Sequence, residues 1–159
     1  MNPYRHSYLV VFLTVTCLTL ITTETARSEP SAPDAAAIGA VVDDFHQALT
    51  AGDSKRVISL LLPDALIVEA GTVQTRVEYE SEHLGEDIAF AREAPGKQTS
   101  RSVQQAGEVA WVTSTFRVTG KFHDKSINNL AAETAVLTRT ADGWRIQTLH
   151  WSSHKATKD

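Results

Sequence analysis

The feature that most constrains this chain is a change of apolar period. Up to Arg92 the apolar residues recur at helical spacing. After Ala94-Pro95-Gly96 the period falls to two and stays there. On the helical side, Ile38, Val41, Val42, Phe45 and Leu49 give one apolar face to a helix predicted over residues 35–51. Gly52 ends it, and Asp53 is placed to cap a second helix from Lys55 to Leu62, stopped by Pro63. Leu66 to Glu69 reads as a short strand closed by Gly71, and a third helix runs from Arg76 to Arg92. On the other side of the break, residues 100–105, 108–119, 121–123, 129–140 and 144–152 read as strands. Gly107, Gly120 and Asp142-Gly143 mark the turns between them. Helices first and strands afterwards imply an α+β fold, with three helices packed on one face of an antiparallel sheet. If that sheet is strongly curved, the helices close its concave side over a cone-shaped hollow.

The N-terminus reads as an export leader. Arg5 and His6 precede an uncharged apolar run from Tyr8 to Ile21, and a polar stretch with small residues follows to Ser28. That run is short for a bilayer span, which takes about 20 apolar residues. Small residues at Ala26 and Ser28 place the expected cut after Ser28, leaving 131 of the 159 residues: a lead-in over 29–34 and one domain over 35–154. Cys17 lies inside the apolar run, so the mature chain contains no cysteine and no disulfide, thiolate or Cys-metal chemistry. The expected location is periplasmic or secreted. Losing Arg5, Arg27 and Glu24 takes 15 basic and 19 acidic residues to 13 and 18, a net charge of −5 with no basic block. That balance argues against nucleic acid and against an anionic membrane surface as partners.

Two segments are distinctive. One is Phe45-His46-Gln47-Ala48-Leu49-Thr50-Ala51-Gly52-Asp53 with Leu60-Leu61-Leu62-Pro63-Asp64-Ala65. The other is Glu133-Thr134, then Asp142-Gly143-Trp144-Arg145-Ile146 running to His150-Trp151-Ser152-Ser153. With these marks the chain resembles the NTF2-like superfamily, and within it the SnoaL-like and DUF4440-type proteins, over essentially the whole mature domain. The resemblance implies a cone with a bent sheet and, often, a homodimer. It does not imply a reaction, because members include isomerases, dehydratases, cyclases, ligand binders and interaction domains. The steroid isomerases among them use an Asp base with a Tyr/Asp oxyanion hole, and no trio of positions here matches that set.

The candidate chemistry therefore comes from the residues. Glu69, at the end of an apolar strand, is either a solvated strand end or a carboxylate turned into the hollow, where burial would raise its pKa. His83 lies one turn from Tyr79 and one from Asp87, as an acid–base pair, as two metal ligands at i, i+4, or as a surface histidine in a Glu-rich stretch. Tyr79, His83 and Phe90 share one helix face. On the last strand strict alternation puts His150 with Trp144, Ile146 and Thr148, and Trp151 with Arg145, Gln147 and Leu149. Counted outward from Asp142-Gly143, Glu133 and His150 fall at similar heights as cross-strand neighbours. Arg117 and Arg139 are either anion anchors or solvated. His46, His123 and His154 are weaker candidates. Glu69, His83, Glu133 and His150 together would make a two-His, two-carboxylate metal set, but no local motif supports it. The reading is therefore of a site without metal or cofactor.

The expectation is an exported pocket protein that takes a small, partly apolar molecule. His83, His150, Glu69 and Tyr79 would carry any isomerase-, dehydratase- or cyclase-like proton transfer, and Glu133, Asp87, Trp151 and Phe90 would contact the ligand. The alternatives are a non-enzymatic dimeric binding or interaction module and, third, a divalent-metal binder.

Overall fold

The structure is a computed structural model in which residues 34–157 are described. The expected leader, its cut after Ser28 and nearly all of the lead-in lie outside the described residues. Helix α1 (Ala35–Ala51) buries Ile38, Val42, Phe45 and Leu49, the face its period predicts. Gly52, at φ 80°, ends it in the left-handed region, where the Gly52 N–H donates to the Leu49 carbonyl. Asp53 caps α2 (Ser54–Leu60) by accepting the Arg56 N–H at 2.9 Å.

The chain turns to strand earlier than expected. β1 spans Leu61–Glu69 and contains Pro63, because its pairing is interrupted between Leu61 and Leu66 and no ladder donor is needed there. Ala70 and Gly71, both at positive φ, form a two-residue turn into β2 (Thr72–Thr75), an element not anticipated from the sequence. Thr75 then opens a continuous helical segment with a capping box: its hydroxyl accepts the Glu78 N–H, and the Glu78 carboxylate accepts the Thr75 N–H. That segment is α3 (Arg76–Glu78), a π-helical turn (Tyr79–His83) and α4 (Leu84–Glu93).

Four long strands follow: β3 (Gly96–Ala106), β4 (Val109–Phe122), β5 (Lys125–Thr140) and β6 (Gly143–Lys155). The sheet order is β2-β1-β6-β5-β4-β3. All neighbours are antiparallel except β1 and β6, which run parallel, so the curved sheet is mixed rather than wholly antiparallel. The parallel pair arises because β1 enters from the helical half and is joined to β6 only through the whole intervening chain. The helices cover one face, where Phe45, Val57, Ile67, Val112, Leu137, Ile146 and Leu149 form the core. Among the described residues no helix is long and apolar enough to cross a membrane.

One irregularity decides which residues reach the hollow. Val136 pairs with Thr148 while Leu137 pairs with Ile146, so Gln147 is an extra residue and β6 bulges there. Strict alternation would put His150 on the face of Trp144 and Ile146. The bulge reverses this: Leu149 is buried with Trp144 and Ile146, Trp151 packs against the same core, and His150 is exposed on the opposite face.

Candidate functional site

A cavity of about 780 Å³ opens between α1, the π-helical turn, α4 and the concave face of the sheet. Its walls are mixed. Phe90, Phe116, Phe122, Val118 and Trp151 supply apolar surface, and two polar groups of residues face it from different elements.

The first group joins the β1–β2 hairpin to the helical segment. His83 Nδ1 lies 2.9 Å from Gln74 Oε1, so the ring donates through Nδ1 and turns Nε2 the other way. Nε2 faces two carboxylates, Asp87 Oδ1 at 3.4 Å and Glu69 Oε2 at 3.8 Å. The second oxygen of Asp87 accepts the Tyr79 hydroxyl at 2.9 Å. The π-helical turn, closed by the Leu84 N–H on the Tyr79 carbonyl, sits between these residues and sets their relative rotation. Burial pushes the Asp87 carboxyl above its ordinary range, with His83 and Tyr79 acting against the shift. Glu69 is raised as well, by burial first and by the charge of Asp87 second.

The second group lies across the cavity. Trp151 Nε1 donates to Glu133 Oε2 at 2.7 Å, and His46 Nε2 lies 2.8 Å from the same oxygen. Glu133 is only 2% exposed and its other oxygen has no protein partner. Nearby, Arg101 donates to Asp43 at 2.6 Å and reaches the buried Ser114 hydroxyl at 3.4 Å.

Of the residues singled out from the sequence, Glu69, His83, Asp87, Phe90 and Trp151 line the cavity. Tyr79, expected as a proton donor to the ligand, is instead fully buried behind Asp87, where burial and that carboxylate push its phenol well above the ordinary range. It orients Asp87. Glu133, expected to contact the ligand, is sealed behind His46 and Trp151. His150 is outside the cavity altogether, for the reason the bulge supplies, and faces Thr134 across the strands while Glu133 faces Trp151. The four-residue metal set of Glu69, His83, Glu133 and His150 is therefore not assembled. Arg117 bonds to Asn128 at the surface, and Arg139 lies over the Trp144 ring near Asp34 and Glu108.

His46 and Gln74 were missed. His46 seemed only to flank an apolar helix face, and its partner is remote in sequence. Gln74 was legible in principle, since Ala70-Gly71 followed by Thr72-Val73-Gln74-Thr75 is a turn and a β-prone run.

No functionally curated protein matches the sequence. Solved structures do. A provisionally named ketosteroid isomerase from Shewanella frigidimarina is 34% identical, with a TM-score of 0.70 over 73% of this chain and 94% of that one. A provisionally named dehydratase of the NTF2-like family from Streptomyces avermitilis is 24% identical, with a TM-score of 0.68 over 77% and 97% of the two chains. The CaMKII hub of S. rosetta is 22% identical, with a TM-score of 0.67 over 77% and 98%. The last two carry the fold alone. The model of the SnoaL-like domain matches residues 38–155, the whole helix-and-sheet unit and both of its polar groups. The chain belongs to the SnoaL-like family and has the NTF2-like α+β cone fold.

Proposed function

We propose that this is an exported protein whose cone binds a small, partly apolar molecule and exchanges a proton with it through His83. The observation that carries the reading is the His83 ring on the cavity wall, held by Gln74 at Nδ1 and aimed with Nε2 at the acidic pair Glu69 and Asp87. Such a ring has a fixed tautomer and a free ring nitrogen beside two carboxylates, an arrangement suited to general acid–base transfer. The aromatic walls supply the apolar grip, and the volume lies within the range of small-molecule pockets.

The name of the 34%-identical structure directs the choice of probe to enolisable ketones. Incubated in D₂O with a cyclic ketone, the metal-free protein exchanges the hydrogens next to the carbonyl, followed by NMR. His83→Gln slows exchange by about 100-fold or more. Exchange at an unchanged rate in His83→Gln would sink the reading. Binding of the ketone without exchange in the unmodified protein would favour the non-enzymatic binding module instead.

Two further parts of the proposal concern the whole molecule. Export is supported by the n-, h- and cleavage-region order of residues 1–28, and N-terminal sequencing of protein recovered outside the cytoplasm should begin at Glu29. A homodimer is supported by the uncovered sheet face, where Leu66, Val68, Trp111 and Val136 lie on the side away from the helices. Light scattering at micromolar concentration tests it, and a monomer mass would count against it.

A further inference from the structure

We propose that Glu69, His83 and Asp87 form a site for one divalent transition-metal ion.

Two of the three ligand separations are close to those of a filled site. One ligand atom from each residue can be chosen so that all three lie within 4.8 Å of one another. Metal–ligand bonds of about 2.0–2.2 Å place neighbouring ligand atoms about 3.0–3.5 Å apart for octahedral to tetrahedral angles. The His83–Asp87 separation of 3.4 Å already meets that value, and the His83–Glu69 separation of 3.8 Å has only tenths of an ångström to close. Glu69 is on a strand end next to a hairpin turn, and it has room to make that movement.

The surroundings point the same way. In metal sites a ligating histidine gives its other ring N–H to an oxygen, which fixes the ring and its tautomer, and ligating carboxylates are hydrogen-bonded in turn. Two of the three residues meet these conditions. Gln74 Oε1 takes the His83 Nδ1–H, and Tyr79 donates to Asp87 Oδ2, so the non-ligating atoms of His83 and Asp87 are held and their free atoms face each other. Serving as ligands, the two carboxylates would be ionised and the imidazole neutral, a charge of −2 that a divalent ion balances. Among the described residues no Lys or Arg nitrogen lies within salt-bridge distance of Glu69 or Asp87. One nitrogen and two carboxylate ligands suit Zn²⁺, Co²⁺, Mn²⁺ or Fe²⁺ better than Mg²⁺ or Ca²⁺, which prefer oxygen alone. Three protein ligands leave open positions toward the cavity, where an oxygen of the bound molecule or water would sit.

The test uses untagged, chelator-treated protein at pH 7.5. Zn²⁺ is titrated against a chromophoric chelator, and Co²⁺ binding is followed in the visible spectrum. The expected result is one ion per chain. Affinity falls at least 100-fold in His83→Gln and in Asp87→Asn, falls 10- to 100-fold in Gln74→Ala, and is unchanged in His150→Gln. If His83→Gln does not fold, NMR of the Co²⁺ form of the unmodified protein decides, with the His83 ring shifted well beyond the other histidines. Substoichiometric binding, or one ion whose affinity ignores the His83 and Asp87 changes, overturns the site.

Discussion

Replacing Glu133 with alanine should be one of the most costly single changes in the domain. The carboxylate is 2% exposed; its Oε2 accepts the Trp151 Nε1–H at 2.7 Å and lies 2.8 Å from His46 Nε2, which makes no hydrogen bond. Truncation leaves the Trp151 N–H without its acceptor, at about 1–3 kcal/mol. Adding about 0.8 kcal/mol for the lost methylene gives about 2–4 kcal/mol. Glu133→Gln keeps the shape and one acceptor oxygen, and should cost about 1–2 kcal/mol. Urea unfolding of Glu133→Ala, Glu133→Gln, His46→Gln and the double variant measures these values and the coupling between positions 46 and 133, expected at about 1–2 kcal/mol. A Glu133→Ala cost below about 1 kcal/mol, or additivity of the two sites, would refute the claim that Glu133 is a sealed support for the cavity wall.

Gly120→Ala should destabilise by about 2–3 kcal/mol in the same assay, because a Cβ there would collide with the backbone of Glu93 and come within 2.6 Å of Ala94 Cα, where no side chain can give way. Ala70→Asn should stabilise by about 0.5–1 kcal/mol, since Ala70 sits at φ 50° in a two-residue hairpin turn that favours Asn before Gly; thermal melting checks it. In chelator-treated protein Glu69→Gln should raise the melting temperature at pH 7. A carboxyl whose folded pKa is raised above its unfolded value favours the folded state when protonated, so stability falls as pH rises from about 4.3 through the folded value. The gain from Glu69→Gln therefore appears across that window, persists above it and vanishes below about pH 4. With the side chain more than a third exposed it should amount to a few tenths of a kcal/mol, about 1–2 °C.

Most of the architecture was legible because it rests on local rules. The apolar stripe of α1, Gly52 and Asp53 at the next helix boundary, and the change to period two after Pro95 each act within a few residues. What was not legible depends on events without a local signature. The Gln147 bulge inverts the alternation of β6, and with it the expected position of His150. The parallel meeting of β1 with β6 joins residues more than 75 apart in sequence, such as Leu61 with Ile146. The candidate site divides along the same line. His83 and Asp87 were found because four residues of helix separate them. The partnership of His46 with Glu133 was missed because only the folded sheet brings β5 to α1.

The carboxylate contacts of His46 and His83 in the cone show why residue type alone does not assign a role. His46 meets a carboxylate at 2.8 Å and His83 meets one at 3.4 Å, so the chemistry on offer is similar. The difference lies in what else each carboxylate does and where it can go. Glu133 already serves Trp151, is closed off from the cavity, and cannot approach a ligand without dismantling the wall. Asp87 and Glu69 remain on the cavity surface, are pushed toward protonation by burial, and share one imidazole between two negative charges. The first arrangement is closed off from the cavity, and its role is to support the fold. The second is short of positive charge, which a cationic group of a ligand or a divalent ion would supply. For that reason the predictions for Glu133 are read in stability, whereas those for His83 and Asp87 are read in binding and exchange.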